Sequence, residues 1–211
     1  DTDSVKAFVG EYRPEHFLLK AENPLAIGPY DLGCHYMEHK VQQAEAMKGA
    51  KKRILEVAAQ FAALTGREYG LFEAYRMEDA EIALVLIGSS AGTAKVTVDA
   101  LRARGIPAGL VKIRVFRPFP AEELAQILKN VKALAILDKA ESFSAQGGPL
   151  FAEVRAALYD LEPRPRTVGY VYGLGGRDIT PAHFASVFAR LEAIAAGGEL
   201  GPVYSHLGQR G

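Results

Sequence analysis

Cysteine is almost missing from this chain of 211 residues, which has Cys34 alone. A single thiol excludes an internal disulfide and any iron–sulfur cluster or zinc site built from several cysteines of this chain. A reducing compartment, the cytoplasm, is therefore the expected setting. An excess of either charge is also missing, since 25 Lys and Arg balance 25 Asp and Glu. That balance removes the basic surplus typical of nucleic-acid binders and anionic-membrane anchors, so neither partner is expected. Long apolar runs are absent, and stretches such as Ile82 to Ile87 are strand-sized, far below the roughly 20 residues that cross a bilayer. The opening DTDSVKAFVGEYRPEHF has no initiator Met, no signal-peptide core and no helical periodicity, which suggests a chain that begins inside a longer protein.

The composition, 49% hydrophobic and 24% charged, is that of a globular protein with material for a sizeable core. From residue 1 to 33 the chain is broken by Pro14, Pro24, Pro29, Gly10, Gly28 and Gly33, so this stretch reads as an irregular arm without a regular element. Then Val41, Ala44, Met47, Ile54, Val57, Phe61 and Leu64 recur at helical spacing up to Gly66, which predicts one long amphipathic helix. About 30 residues would extend roughly 45 Å, so part of its stripe is expected to pack on a neighbouring domain or subunit, with Gly49 a possible bend.

Beyond a link through Gly70 to Arg76, strand and helix alternate four times: AEIALVLIG, AGTAKVTVDALRARG, AGLVKIRVF, PAEELAQILKN, KALAILD, GGPLFAEVRAALYD, RTVGYVYG and TPAHFASVFARLEAIAAGG. Short, continuously apolar strands with amphipathic helices between them imply an α/β fold, an open parallel sheet with helices on both faces and right-handed crossovers. Residues 197–211 have no periodicity and read as a tail. No repeat or low-complexity tract is present.

Four loops carry candidate chemistry. GSSAGTAK, Gly88 to Lys95, is a strand-to-helix turn whose free N–H groups can cradle a phosphate, although it has neither P-loop nor GxGxxG spacing. The plainer reading is that Ser89, Ser90 and Thr93 cap the helix. YGLGGRDIT, Tyr172 to Thr180, is either a binding loop or a tight crossover with Asp178 or Thr180 as cap and Arg177 paired to a carboxylate across a domain boundary. RVFRPFP places Arg114 and Arg117 beyond a strand's carboxyl end, where they hold an anion or simply point outward while Val115 and Phe119 enter the core. DKAESFSAQGGP groups Asp138, Lys139 and Glu141, with a solvated loop as the plainer account. His35 and His39 share a helix face but lack further metal ligands, and His16, His183 and His206 are scattered. No catalytic residue and no metal ligand is assigned, and the cofactor-binding residues stay unassigned.

Read together, YMEHKVQQAEAM, YRMEDAEIALVLIGSSAGTAK, GLVKIRVFRPFPAEEL, ILDKAESFSAQGGPLFAEVRAALYD and YVYGLGGRDITP closely resemble the alpha subunit of pyruvate:ferredoxin oxidoreductase, or pyruvate synthase, over roughly Ala7 to Leu191. The resemblance implies that residues 1–75 are the tail of a pyrimidine-binding domain, residues 76–196 a transketolase C-terminal-like domain and residues 197–211 a tail. It implies a multi-subunit enzyme that oxidatively decarboxylates pyruvate with coenzyme A and passes electrons to ferredoxin, the other subunits being beta, gamma and delta. It also implies thiamine pyrophosphate, Mg2+ and [4Fe-4S] clusters bound mainly by other domains or subunits, with none on this chain alone, so that this segment is structural. Whether Gly88 to Thr93 or Arg177 touch coenzyme A or only stabilise the fold stays open. So does the 2-oxoacid, with 2-oxoglutarate, a branched-chain acid or oxalate as alternatives to pyruvate. The reading of a different class is a free-standing, phosphate-binding, flavodoxin-like module.

Overall fold

The computed structural model describes all residues except Leu18, Ala26, Ile27, Pro29 and Gly211. The chain divides into two compact units, Asp1–Glu45 and Ala46–Gly211.

The first unit begins with a helix, α1 (Thr2–Val9), where the residue pattern predicts none. Its ends are what hold it. The Asp1 carboxylate accepts from the Ser4 N–H at 2.8 Å, and Gly10, at φ 74°, closes the last turn through its N–H to the Lys6 carbonyl. A helix of two turns needs caps more than an apolar stripe, which is why periodicity misses it. The rest of residues 11–33 is turns and irregular chain, and no described residue of this unit is buried.

The long helix α2 (Tyr36–Thr65) runs its expected 30 residues, from the first unit into the second. Gly66, at φ +69°, ends it with an N–H to the Ala62 carbonyl at 2.8 Å. None of its residues is buried, so the stripe of Val41, Met47, Val57 and Leu64 stays exposed. No helix among the described residues is long and apolar enough to cross a membrane.

In the second unit, β1 (Phe72–Tyr75), β2 (Ile82–Ile87), β3 (Ala108–Ile113), β4 (Ala133–Asp138), β5 (Arg166–Tyr172) and β6 (Tyr204–Leu207) form one sheet in the order β1-β3-β2-β4-β5-β6. The helices are α3 (Ser90–Arg102), α4 (Ala121–Leu128), α5 (Pro149–Leu158) and α6 (Pro181–Ala195). Side-chain alternation divides the core. Ile82, Leu84 and Leu86 face α3 and α6, whereas Ala83 and Val85 face α4 and α5. The α/β class, with helices on both faces, is as the sequence predicts.

Three features correct the sequence reading. The segment through Gly70 to Arg76 contains β1, which pairs antiparallel to β3, Phe72 opposite Ile113. The tail contains β6, which extends the sheet parallel to β5 from Gly169 opposite Tyr204 to Tyr172 opposite Leu207. Both are four-residue edge strands, too short for a hydrophobic period to register. Finally, not every crossover is right-handed. The β2-α3-β3 connection moves toward the β1 edge on one face, and β3-α4-β4 and β4-α5-β5 move away from it on the other, so these three share a hand. The β5-α6-β6 connection moves away on the face of α3 and has the opposite hand, left by the general preference. Packing accounts for the exception: α6 lies over β2 and β4 and buries Phe184, Val187, Phe188 and Leu191 beside α3 on a face otherwise left half bare.

Candidate functional site

Parallel strands deliver their loops to one edge of the sheet, so GSSAGT, DKAESF, YGLGGRD and the residues after β6 meet at the carboxyl ends of β2, β4, β5 and β6. In the first loop Gly88, at φ 89°, makes the turn into α3. Ser89 occupies the cap position without a side-chain hydrogen bond, so the capping role expected of the serines is not what the structure shows. Ser90 is instead buried, beside the Tyr172 hydroxyl. That hydroxyl is itself buried and has no partner of hydrogen-bonding geometry among the described residues. Burial pushes its pKa up, Ser90 draws it down and Asp138 raises it again.

Asp138, at the end of β4, is not part of a solvated loop. It is 7% exposed, and its Oδ2 accepts from the Phe151 N–H at 3.0 Å, so it holds the first turn of α5. Burial raises its pKa, against the lowering effect of the Phe151 and Leu150 N–H groups. Glu141, three residues on, accepts from the Tyr204 hydroxyl at 2.5 Å and sits 2.7 Å from His206 Nε2. The tyrosine and histidine hold the Glu141 carboxyl below its ordinary range, while partial desolvation and that carboxylate push Tyr204 up to about 12. The sequence offered no signal for this triad, because 65 residues separate Glu141 from His206 and the strand that carries His206 is too short to be recognised.

In the third loop Gly173, Gly175 and Gly176 all have positive φ, and Arg177 turns its Nη1 onto the Gly208 carbonyl at 2.8 Å. Its partner is thus backbone of the same sheet edge and not a carboxylate across a boundary. Thr180, not Asp178, caps α6, with its N–H donating to His183 Nδ1 at 3.1 Å in a capping box. Between these loops lies a cavity of about 310 Å³ with walls of Val171, Leu174 and Leu207 and polar groups from Arg177, His206 and Gln209. One guanidinium over apolar walls suits the anionic end of a small organic molecule.

The remaining candidates are engaged elsewhere. Arg114 donates to Glu73 at 2.8 Å and lies over the Tyr69 ring, and Arg117 pairs with Glu153 and stacks on Phe116. Lys95 and then Arg114 hold Glu73 below the ordinary carboxylate range. Phe116 and Phe119 pack on the core beneath them, so the aromatic that enters beside Phe119 is Phe116. His39 pairs with Asp31 at 2.6 Å, and among the described residues no three His, Cys, Asp or Glu side chains are grouped to hold a metal.

The family described as pyruvate:ferredoxin oxidoreductase core domain II matches residues 80–184, about half of the chain, from β2 through β5 with α3, α4 and α5. The pyruvate synthase subunit PorA of Thermotoga maritima is 48% identical over 184 residues, 87% of this chain and 47% of that protein. The chain belongs to the pyruvate:ferredoxin oxidoreductase alpha-subunit family. Within this family the PorA of Methanothermobacter thermautotrophicus is 42% identical over 190 residues. The ketoisovalerate oxidoreductase subunit VorA of Pyrococcus horikoshii is 38% identical over 197 residues, 93% of this chain and 50% of that protein. The chain thus spans about half the length of the curated relatives it matches. Among solved structures, a 2-oxoglutarate:ferredoxin oxidoreductase from Magnetococcus marinus aligns with a TM-score of 0.44 at 20% identity, covering 64% of this chain and 21% of that one.

Proposed function

We propose that this chain is a supporting part of the alpha subunit of a 2-oxoacid:ferredoxin oxidoreductase that converts pyruvate and coenzyme A to acetyl-CoA and CO2, with electrons passing to ferredoxin. The observation that carries this reading is the 48% identity to a pyruvate synthase subunit, sustained over 87% of the chain. The residues divide the labour in a way that supports it. Cys34 is the only cysteine and cannot ligate a [4Fe-4S] cluster by itself. The carboxyl-edge residues are committed to one another: Asp138 to α5, Glu141 to Tyr204 and His206, and Arg177 to Gly208. Thiamine pyrophosphate, Mg2+ and the clusters then belong to other domains or to beta, gamma and delta subunits, and no step is assigned to them here. Residues 1–75, with no buried side chain among the described residues before Ala46 and an exposed helical stripe, serve in this reading as the tail of a preceding pyrimidine-binding domain. The sheet, from β1 to β6, is the brace against which subunits assemble in the cytoplasm.

The second reading keeps the architecture and changes the acid. It is motivated by the VorA match, 38% identical over 93% of the chain, and takes a branched-chain 2-oxoacid as substrate. The protein isolated without oxygen, with every co-purifying chain identified by mass, tests both. Coenzyme A-dependent dye reduction driven by pyruvate supports the first reading, and preference for 2-oxoisovalerate supports the second. A chain that runs alone and reduces no dye with either acid would defeat both and leave a free-standing, phosphate-binding module.

A further inference from the structure

Several cations of the sheet-bearing unit have a carboxylate. Lys95 and Arg114 share Glu73, Arg102 pairs with Asp79, Arg117 with Glu153 and Lys132 with Glu81. Three arginines that line one groove at the amino-terminal edge of the sheet, opposite the site just described, have other partners. Arg164 donates its Nη1 to the Tyr159 carbonyl at the end of α5. Arg166 donates its Nη1 to the carbonyls of Ile194, at 3.1 Å, and Gly198, at 2.6 Å, at the end of α6. Arg155 rests its guanidinium against the Phe151 ring, 5.2 Å from the centroid, and has no hydrogen-bond acceptor among the described residues. None of the three has a carboxylate partner among those residues, and all three line one groove of about 420 Å³ that no acidic side chain lines. Leu158 and Pro165, both buried, form its floor, and Tyr159 stands exposed at its rim.

From this arrangement we infer that the groove binds a small polyanion, a molecule carrying two or more phosphate or carboxylate charges. The two carbonyl-anchored guanidiniums are fixed in position, yet keep Nε and Nη2 without acceptors among the described residues, and Arg155 keeps all its donors. Three like charges lining one groove repel, and a multiply charged anion relieves that repulsion while accepting paired N–H donors. The concavity is of the size of small-molecule sites, about 300–1,000 Å³, which favours a compact ligand over a protein surface. The inference does not rest on the oxidoreductase reading, and its test reads binding and not turnover.

Inorganic pyrophosphate, ATP and citrate, titrated calorimetrically into the protein in its native assembly, supply the test. Arg155 makes no hydrogen bond among the described residues, so Arg155→Glu should still fold cooperatively and should weaken binding by at least about tenfold. Reversal of an exposed cation at another turn, Arg104→Glu, should leave binding unchanged. Binding of pyrophosphate and ATP without citrate would identify a phosphate-bearing ligand, and binding of citrate a polycarboxylate, each in support. No binding of any of the three, binding that Arg155→Glu does not alter, or capture of a polyglutamate peptide alone would overturn the inference.

Discussion

A glycine can be obligatory for reasons that have nothing to do with φ. Gly148 has an ordinary extended backbone, but a Cβ there would stand 2.3 Å from Asp138 Oδ2. Gly148→Ala must therefore push aside the carboxylate that holds α5, and a loss of about 1–3 kcal/mol in denaturant unfolding is expected. Asp138 itself supplies a pH signature. Its folded-state pKa is raised, chiefly by burial, so the folded protein binds this proton more tightly than the unfolded chain does. That stabilisation is fully present below the ordinary carboxylate range and is lost as pH rises through the folded value. Asp138→Asn keeps an acceptor for the Phe151 N–H and removes the titration. Its melting temperature relative to the parent should therefore rise as pH increases through the carboxylate range, and a constant difference would refute the assignment. Asp138 was legible in the sequence as a loop residue but not as a buried one, because burial at the end of β4 depends on α5 folding back over it.

At the scale of elements, the strands with several consecutive apolar residues and the helices with a full stripe were readable in advance, whereas α1, β1 and β6 were not. Each of the three is held by something periodicity does not encode: end caps for α1 and a partner strand already in place for β1 and β6. For β6 the Glu141 contacts with Tyr204 and His206 add a tether from the β4-α5 loop. Glu141→Gln should accordingly increase amide exchange across Tyr204–Leu207 while leaving β2 and β4 protected. Equal protection of β6 in the variant would show that backbone pairing to β5 suffices. The same tether borders the Arg177 cavity, so the candidate site owes His206 and Leu207 of its wall to a strand that the sequence did not announce.

For the whole molecule, the decisive fact is the distribution of burial. Residues 1–45 bury nothing among those described, whereas the second unit encloses two cores, one on each face of its sheet. Phe188, fully buried, belongs to the core shared by α3 and α6. Phe188→Ala is expected to cost about 3–5 kcal/mol in chemical unfolding. It should abolish assembly together with stability if the sheet is the brace proposed above. The sequence by itself determined the α/β class, the long helix, the four strand-helix repeats and, through motifs such as RVFRPFPAEE and GLGGRDITP, the family. These are properties of local pattern: apolar spacing names an element before it has neighbours. Only the tertiary structure decided the strand order, the left-handed fourth crossover, the meeting of Glu141 with His206 and the convergence of Arg155, Arg164 and Arg166 on one groove. Those depend on which surfaces must be covered at once, a condition set by the whole packed sheet and carried by no single segment of it.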